Sequence, residues 1–75
     1  MELITDADWA RIDNNFTYHA PKGNQVQRYV DLRDHAKELA YNIMEKCPNS
    51  RERSLALTKL EETVMWANAS IARNE

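Results

Sequence analysis

The residues best suited to chemistry lie in one short segment. The sequence NNFTYHAP, residues 14–21, places the aromatic rings of Phe16 and Tyr18 beside the imidazole of His19. An exposed aromatic ring in a loop can stack on a nucleobase. Alternatively, the same side chains can form a hydrogen-bonded lid that covers the neighbouring helices. Spacing alone leaves both interpretations open for Tyr18 and His19, whereas Phe16 is expected to be a hydrophobic anchor.

Basic and polar side chains recur at helical spacing further along the chain. Arg33 and Lys37 are four residues apart, so they lie on the same side of a helix. Trp66, Ser70 and Arg73 share another face at steps of four and three residues. Two cations one turn apart can bind phosphate. Alternatively, Arg33 and Lys37 pair with neighbouring acids and form an ordinary solvated surface. The small hydroxyl of Ser70 can likewise sit in a close helix contact without any ligand.

The sequence gives little support for catalysis or for a metal centre. His19, His35 and Cys47 lack the short spacings typical of zinc ligands. Cys47 falls at a predicted helix end and is expected to be a small core residue. Gly23 is the only glycine, so there is no glycine-rich phosphate loop. We therefore expect a protein that is not an enzyme and that holds no metal and no cofactor.

The composition indicates a single domain over residues 1–75. Ten Lys and Arg residues against twelve Asp and Glu residues give a net charge of −2, which argues against general affinity for DNA or RNA. The longest apolar run, VMWA at 64–67, is too short to span a bilayer. The single cysteine fits a reducing compartment. These features predict a soluble, intracellular protein with no membrane partner.

The apolar pattern predicts an all-α fold. Helices are expected at residues 5–13, 24–46 and 50–73, with a loop at 14–23. Pro48 disfavours helical geometry in the residue before it and ends the second helix. A short connection between two long helices favours an antiparallel hairpin.

Polar residues predict where the helices begin. Thr5 is expected to cap the first helix. Asn24 followed by Gln27, and Asn49 followed by Glu52, have the spacing of a capping box. These two patterns predict the starts of the second and third helices.

The apolar residues exceed what one hairpin can cover. Leu55, Met65 and Trp66 lie outside the main apolar stripe of the third helix. A monomer would expose them, so we expect the chain to self-associate.

Four segments together resemble a known family. They are FTYHAP at 16–21, AKELA at 36–40, CPNSRERSLALTKLEE at 47–62 and VMWANASIARN at 64–74. The combination resembles the phage-encoded anti-CBASS sponge proteins, whose hairpin domain is similar to one in phage proteins that sequester the signal of the Thoeris defence system. The resemblance covers residues 16–74. It implies an α-helical hairpin with a short N-terminal helix, assembled into a compact homohexamer.

The resemblance also implies a function. Members of that family bind cyclic dinucleotides such as 3′,3′-cyclic GMP-AMP between protomers, and cyclic trinucleotides at separate sites, without cleaving them. Sequestration keeps these messengers from the CBASS effectors in the cytoplasm of the infected host cell. The resemblance therefore implies a homo-oligomeric sponge for cyclic oligonucleotides.

Within FTYHAP, the resemblance assigns a role to one ring. Tyr18 matches the base-stacking tyrosine of the family. His19 belongs to the same motif and either contacts the ligand or holds the loop. The resemblance begins at Phe16, so it leaves the role of residues 1–15 open.

The phosphate-binding residues implied by the resemblance lie on the two long helices. The family places basic residues on the second helix, where Arg33 and Lys37 are the positions we select. Arg73 is expected to face the ligand near the end of the third helix, with Ser70 one turn before it. Trp66, in VMWANA, either joins this site or packs in a subunit interface.

Two other functions are consistent with the residues. An oligomeric helical hairpin could dock a partner helix through apolar residues such as Met65 and Trp66, and such binding would be indifferent to Arg33 and Tyr18. Sequestration of a cyclic ADP-ribose isomer is a third hypothesis, drawn from the related Thoeris inhibitors. No residue singles out that ligand.

Overall fold

The computed structural model describes residues 3–75, which form α-helices joined by short connections. The helices are α1 (Asp6–Asn15), α2 (Gln25–Lys46) and α3 (Arg51–Asn74). The described residues contain no β-strand. The predicted all-α fold with a helical hairpin is confirmed.

Helix α1 begins at the predicted cap and continues past residue 13. The Thr5 hydroxyl accepts a hydrogen bond from the Asp8 amide at 3.1 Å, and the Asp8 carboxylate accepts one from the Thr5 amide at 3.0 Å. At the other end, the Phe16 amide donates to the Ile12 carbonyl at 3.0 Å. With this last helical hydrogen bond, α1 extends to Asn15.

The capping box predicts an acid-sensitive start of α1. The pKa of the Asp8 carboxyl is lowered because the Thr5 backbone and hydroxyl form hydrogen bonds with it, with a smaller contribution from Arg11. A lowered folded-state pKa stabilises the helix above the unfolded value of about 3.9, and that contribution is lost as pH falls through the folded value. Asp8→Ala should therefore lower the thermal unfolding temperature at neutral pH, and this deficit should be smaller at an acid pH below about 3.9.

Circular dichroism at both pH values measures this effect. Asp6→Ala is the matched control, because it removes a first-turn acid that has no capping-box bond. An Asp8→Ala deficit that is equally large at acid pH would contradict the assignment.

The start of α2 differs from the predicted capping pattern. The Asn24 side chain accepts a hydrogen bond from the Arg28 guanidinium at 3.1 Å and caps no backbone amide. The side chain of Gln25 instead accepts from the Lys22 amide at 3.1 Å. The predicted box between Asn24 and Gln27 is therefore wrong, because the Asn24 carboxamide is engaged by an arginine one turn later.

The start of α3 is also capped by a neighbour of the predicted residue. Ser50 has extended backbone angles, and its hydroxyl accepts from the Arg53 amide at 3.0 Å. The Asn49 side chain accepts from the Arg53 guanidinium at 3.1 Å. The predicted box between Asn49 and Glu52 is wrong, because the chain reaches N-cap geometry one residue later.

Contacts at both ends show that α2 and α3 are antiparallel. At one end Arg28 forms an ion pair with Glu75. At the other, the Arg53 guanidinium donates to the carbonyls of Met44 and Cys47 at 3.4 and 3.3 Å. Cys47 itself is exposed, so its predicted core position is wrong. The backbone is extended at Cys47, so this residue lies just beyond the last turn of α2.

The helices form a single layer. The backbone extends over 49 × 39 × 13 Å, so the arrangement of helices is flat. Among residues 3–75, only Ile71 and Gln25 are buried. Met65 and Trp66 are 68% and 62% exposed. The layer therefore leaves most of its apolar side chains uncovered by the rest of the chain.

Candidate functional site

A groove lies between the loop after α1 and the last turns of α3. Its volume is about 420 Å³, and we name it the Tyr18 groove. Its lining includes Tyr18, His19, Tyr29, Asn68, Ala72 and Arg73. Tyr18 is 84% exposed, so its ring is free to contact another molecule and does not form a packed lid within its own chain.

Phe16 does not anchor the loop within its own chain. Its side chain is 87% exposed, which contradicts the expected hydrophobic anchor within the protomer. The loop is held instead by hydrogen bonds, one of which runs from the Thr17 hydroxyl to the Asp13 carbonyl. The sequence pattern did not indicate this polar attachment.

His19 fastens the loop to the end of α1. Its ring nitrogen Nε2 lies 2.8 Å from the backbone oxygen of Asn14. Since a carbonyl only accepts hydrogen bonds, Nε2 is the donor in this contact. His19 is half-buried and lines the Tyr18 groove. This geometry gives His19 a loop-holding contact and leaves one ring nitrogen for a ligand.

A second groove follows α3 on the side of α1. Its volume is about 360 Å³, and we name it the Trp66 groove. Its lining includes Arg11, Asn14, Trp66, Ser70, Arg73 and Asn74. The structure thus places Trp66, Ser70 and Arg73 along one groove, in keeping with their helical spacing.

Arg73 is shared by the two grooves. Its guanidinium lies 5.9 Å from the centre of the Trp66 ring, within the range of a cation–π contact. None of the ion pairs formed by residues 3–75 involves Arg73. Its positive charge is therefore not neutralised by a carboxylate of the described chain.

Arg33 and Lys37 lie apart from both grooves. Both side chains are exposed on α2. The Lys37 ammonium lies 6.0 Å from the centre of the Tyr41 ring. Neither cation lines the Tyr18 groove, so one protomer does not bring them together with Tyr18.

Asn68 is a groove residue that the sequence reasoning missed. Its side-chain oxygen is buried and has no hydrogen-bond partner within residues 3–75. A buried unpaired acceptor costs about 1–3 kcal/mol. One signal was available, because Asn68 stands four residues after Val64 and three before Ile71, so a polar amide interrupts the apolar stripe.

An ion pair borders the loop on its other side. The side chains of Arg28 and Glu75 meet beside the loop, near Lys22. The pKa of the Glu75 carboxyl is lowered because Arg28 donates hydrogen bonds to it. The start of α2 and the end of α3 are thus linked next to the groove.

Residues 3–75 contain no cluster of three or more His, Cys, Asp or Glu side chains able to hold a metal ion. None of the helices described is both long enough and apolar enough to cross a membrane.

The fold and its grooves define a helical hairpin with a polar and aromatic site at one end. The family model described as "Acb2/Tad1, hairpin domain" matches residues 10–72 of this chain. The chain therefore belongs to the Acb2/Tad1 hairpin-domain family of anti-CBASS and anti-Thoeris sponges, which confirms the resemblance. The match also includes part of α1, which lay outside the resembling segments. No curated protein and no solved structure matches the chain.

Proposed function

We propose that this protein is a non-enzymatic sponge that binds and sequesters cyclic di- and trinucleotide second messengers, such as 3′,3′-cyclic GMP-AMP. The observation that carries the proposal is the Tyr18 groove. It combines an exposed aromatic ring with a half-buried guanidinium, that of Arg73, which has no carboxylate partner in the described chain. Family membership supports the same function.

The chemistry of the ligand matches these groups. A cyclic dinucleotide presents two bases and two phosphates, so a symmetric clamp needs two aromatic rings and at least two cations. One protomer supplies the Tyr18 ring, and a two-fold partner would supply the second. Arg33 and Lys37 would then reach a ligand bound mainly by a neighbouring protomer. Cyclisation also restricts the ligand before binding, which reduces the conformational entropy lost.

We further propose that the chain works as a homo-oligomer, with a hexamer expected from the family. A layer whose backbone is 13 Å thick leaves Met65 and Trp66 exposed, and association of copies would bury them. Light scattering on the purified chain should therefore give a mass several times 8.8 kDa. Met65→Glu should reduce this mass, whereas Glu52→Gln, at the other end of α3, should not. A monomeric wild-type chain would contradict shared binding sites.

The proposed action is sequestration in the cytoplasm of the infected host cell, where the captured messenger no longer reaches the CBASS effectors. A sponge returns its ligand unchanged. The test is to incubate the protein with 3′,3′-cyclic GMP-AMP, denature it with heat and analyse the released nucleotide by mass spectrometry. Quantitative recovery of intact ligand supports a sponge, and linearised or hydrolysed product would contradict it.

The exposed Met65 and Trp66 side chains favour one alternative, a module that docks a partner helix. Together with Thr58 and Glu62 they line a shallow, mostly apolar surface on α3. In that case binding would depend on Met65 and would be unaffected by Tyr18→Ala. A stoichiometric protein partner without bound nucleotide, captured from infected cells, would support the alternative.

A further inference from the structure

Asn14 connects three parts of the molecule that surround the Tyr18 groove. We propose that Asn14 is a positioning residue. It holds the loop between α1 and α2 (the Tyr18 loop) and the last turn of α3 (the Arg73 turn) in the arrangement that a ligand requires. The effect on ligand binding rests on the proposed function. The positioning itself is a property of the free protein.

Both the side chain and the backbone of Asn14 take part. The side-chain amide donates a hydrogen bond to the backbone oxygen of Arg73 at 2.9 Å, across 59 positions of sequence. The backbone oxygen of Asn14 accepts the bond from His19 at 2.8 Å. One residue thus binds the last turn of α3 on one side and the Tyr18 loop on the other.

This link is important because little else holds α1 in place. Helix α1 has no buried residue, and its apolar side chains Trp9 and Ile12 are 54% and 43% exposed. Among the side-chain hydrogen bonds of residues 3–75, the bond from Asn14 to Arg73 is the one that joins α1 to α3. Packing within the protomer therefore contributes little to the position of the loop that follows α1.

The acceptor of this bond is also significant. Arg73 lies in the last turn of α3, where carbonyl oxygens have no partner within the helix. The Asn14 amide satisfies the oxygen of the same residue whose guanidinium lines both grooves. Losing the bond would free the loop from α3 and remove the hydrogen bond that steadies the Arg73 turn.

Asn14→Ala removes the donor without adding charge, and alanine favours the helix. We expect about tenfold weaker binding of 3′,3′-cyclic GMP-AMP by calorimetry, with circular dichroism and oligomer mass unchanged. The matched control is Asn42→Ala, because the Asn42 amide also donates to a backbone oxygen, that of Glu38 at 3.1 Å, but within α2. Unchanged affinity in Asn14→Ala would overturn the proposed role.

A double-mutant cycle distinguishes positioning from a general structural role. If Asn14 acts by positioning Tyr18 and Arg73, Asn14→Ala should weaken binding by a smaller factor in a Tyr18→Ala background than in the wild type, because only its effect through Arg73 remains. A residue that only supports the fold would weaken binding by the same factor in both backgrounds. That additive result would overturn the proposal.

Nuclear magnetic resonance relaxation tests the positioning without any ligand. Thr17 and His19 stay bonded to backbone oxygens of α1 in Asn14→Ala, so α1 and the loop should move together. Backbone order parameters of residues 6–20 should fall from about 0.85 to below about 0.6 in Asn14→Ala and stay unchanged in Asn42→Ala. Unchanged order parameters in Asn14→Ala would overturn the positioning role even if the wild type binds nucleotide. A wild type that binds no cyclic nucleotide would overturn the proposed function, while lower order parameters in Asn14→Ala would still support the positioning.

Discussion

Replacing Tyr18 by alanine is expected to reduce the affinity for 3′,3′-cyclic GMP-AMP by about 1–3 kcal/mol for each base stacked on the ring. The ring is 84% exposed, so its removal takes little packing from the protomer. The loss should therefore appear in ligand binding and not in thermal stability. If a two-fold pair of protomers encloses the ligand, both rings are lost and the effect doubles.

Two variants control this experiment. Tyr18→Phe keeps the aromatic face and should retain most of the affinity. Phe16→Ala removes an equally exposed ring two residues away, which does not line the Tyr18 groove, and should change affinity little. Calorimetric titration of the three variants measures the differences. Equal affinity of Tyr18→Ala and wild type would contradict base stacking by Tyr18.

The second large effect is expected from Arg73. Its guanidinium faces two grooves and has no carboxylate partner among residues 3–75, so its charge is available to a phosphate. Hydrogen bonds to charged groups contribute about 1.5–3 kcal/mol each. Arg73→Ala should therefore weaken binding by about tenfold to a hundredfold. The salt dependence of binding should also become weaker, because a cation that faces the ligand has been removed.

Charge and geometry can be separated at this position. Arg73→Lys keeps the positive charge but loses the planar fork, so it should recover only part of the affinity. Arg51→Ala makes the same change in net charge at the opposite end of α3 and should bind normally. If Arg51→Ala and Arg73→Ala weaken binding equally, the effect is one of net charge and Arg73 is not a phosphate ligand.

Much of the fold could be predicted because its determinants are local. Apolar residues at steps of three and four indicate helices, and Pro48 marks the end of α2. The segment before α2 contains Gly23, which adopts a φ of 57°, a conformation that glycine reaches without strain. Thr5 and Asp8 form the kind of reciprocal cap that neighbouring residues alone can specify.

The wrong capping predictions arose because nearby side chains compete for the same hydrogen bonds. Ser50 and Asn49 are both good capping residues, and the backbone angles that favour Ser50 are set by the turn after Pro48. Asn24 has the right residue type for a cap, but Arg28 occupies its side chain. Spacing does not rank such competing hydrogen bonds.

Part of the candidate site could be predicted from the sequence, and part could not. Tyr18 stood out because an aromatic ring in a short polar loop is unusual on its own. The bond from Asn14 to Arg73 joins residues 59 positions apart and requires α1 to cross the end of α3, which no local pattern encodes. Arg33 and Lys37 lie apart from the Tyr18 groove within one protomer. In the proposed function a second copy of the chain brings them to the ligand, and no local sequence pattern specifies that arrangement.

Capture of cyclic oligonucleotides by this hairpin can be measured by calorimetric titration of the wild-type chain with 3′,3′-cyclic GMP-AMP. We predict saturable binding with fewer than one ligand per protomer, since each proposed site is shared. The absence of heat and of bound nucleotide at saturating ligand, from a protein shown to be folded and oligomeric, would contradict it.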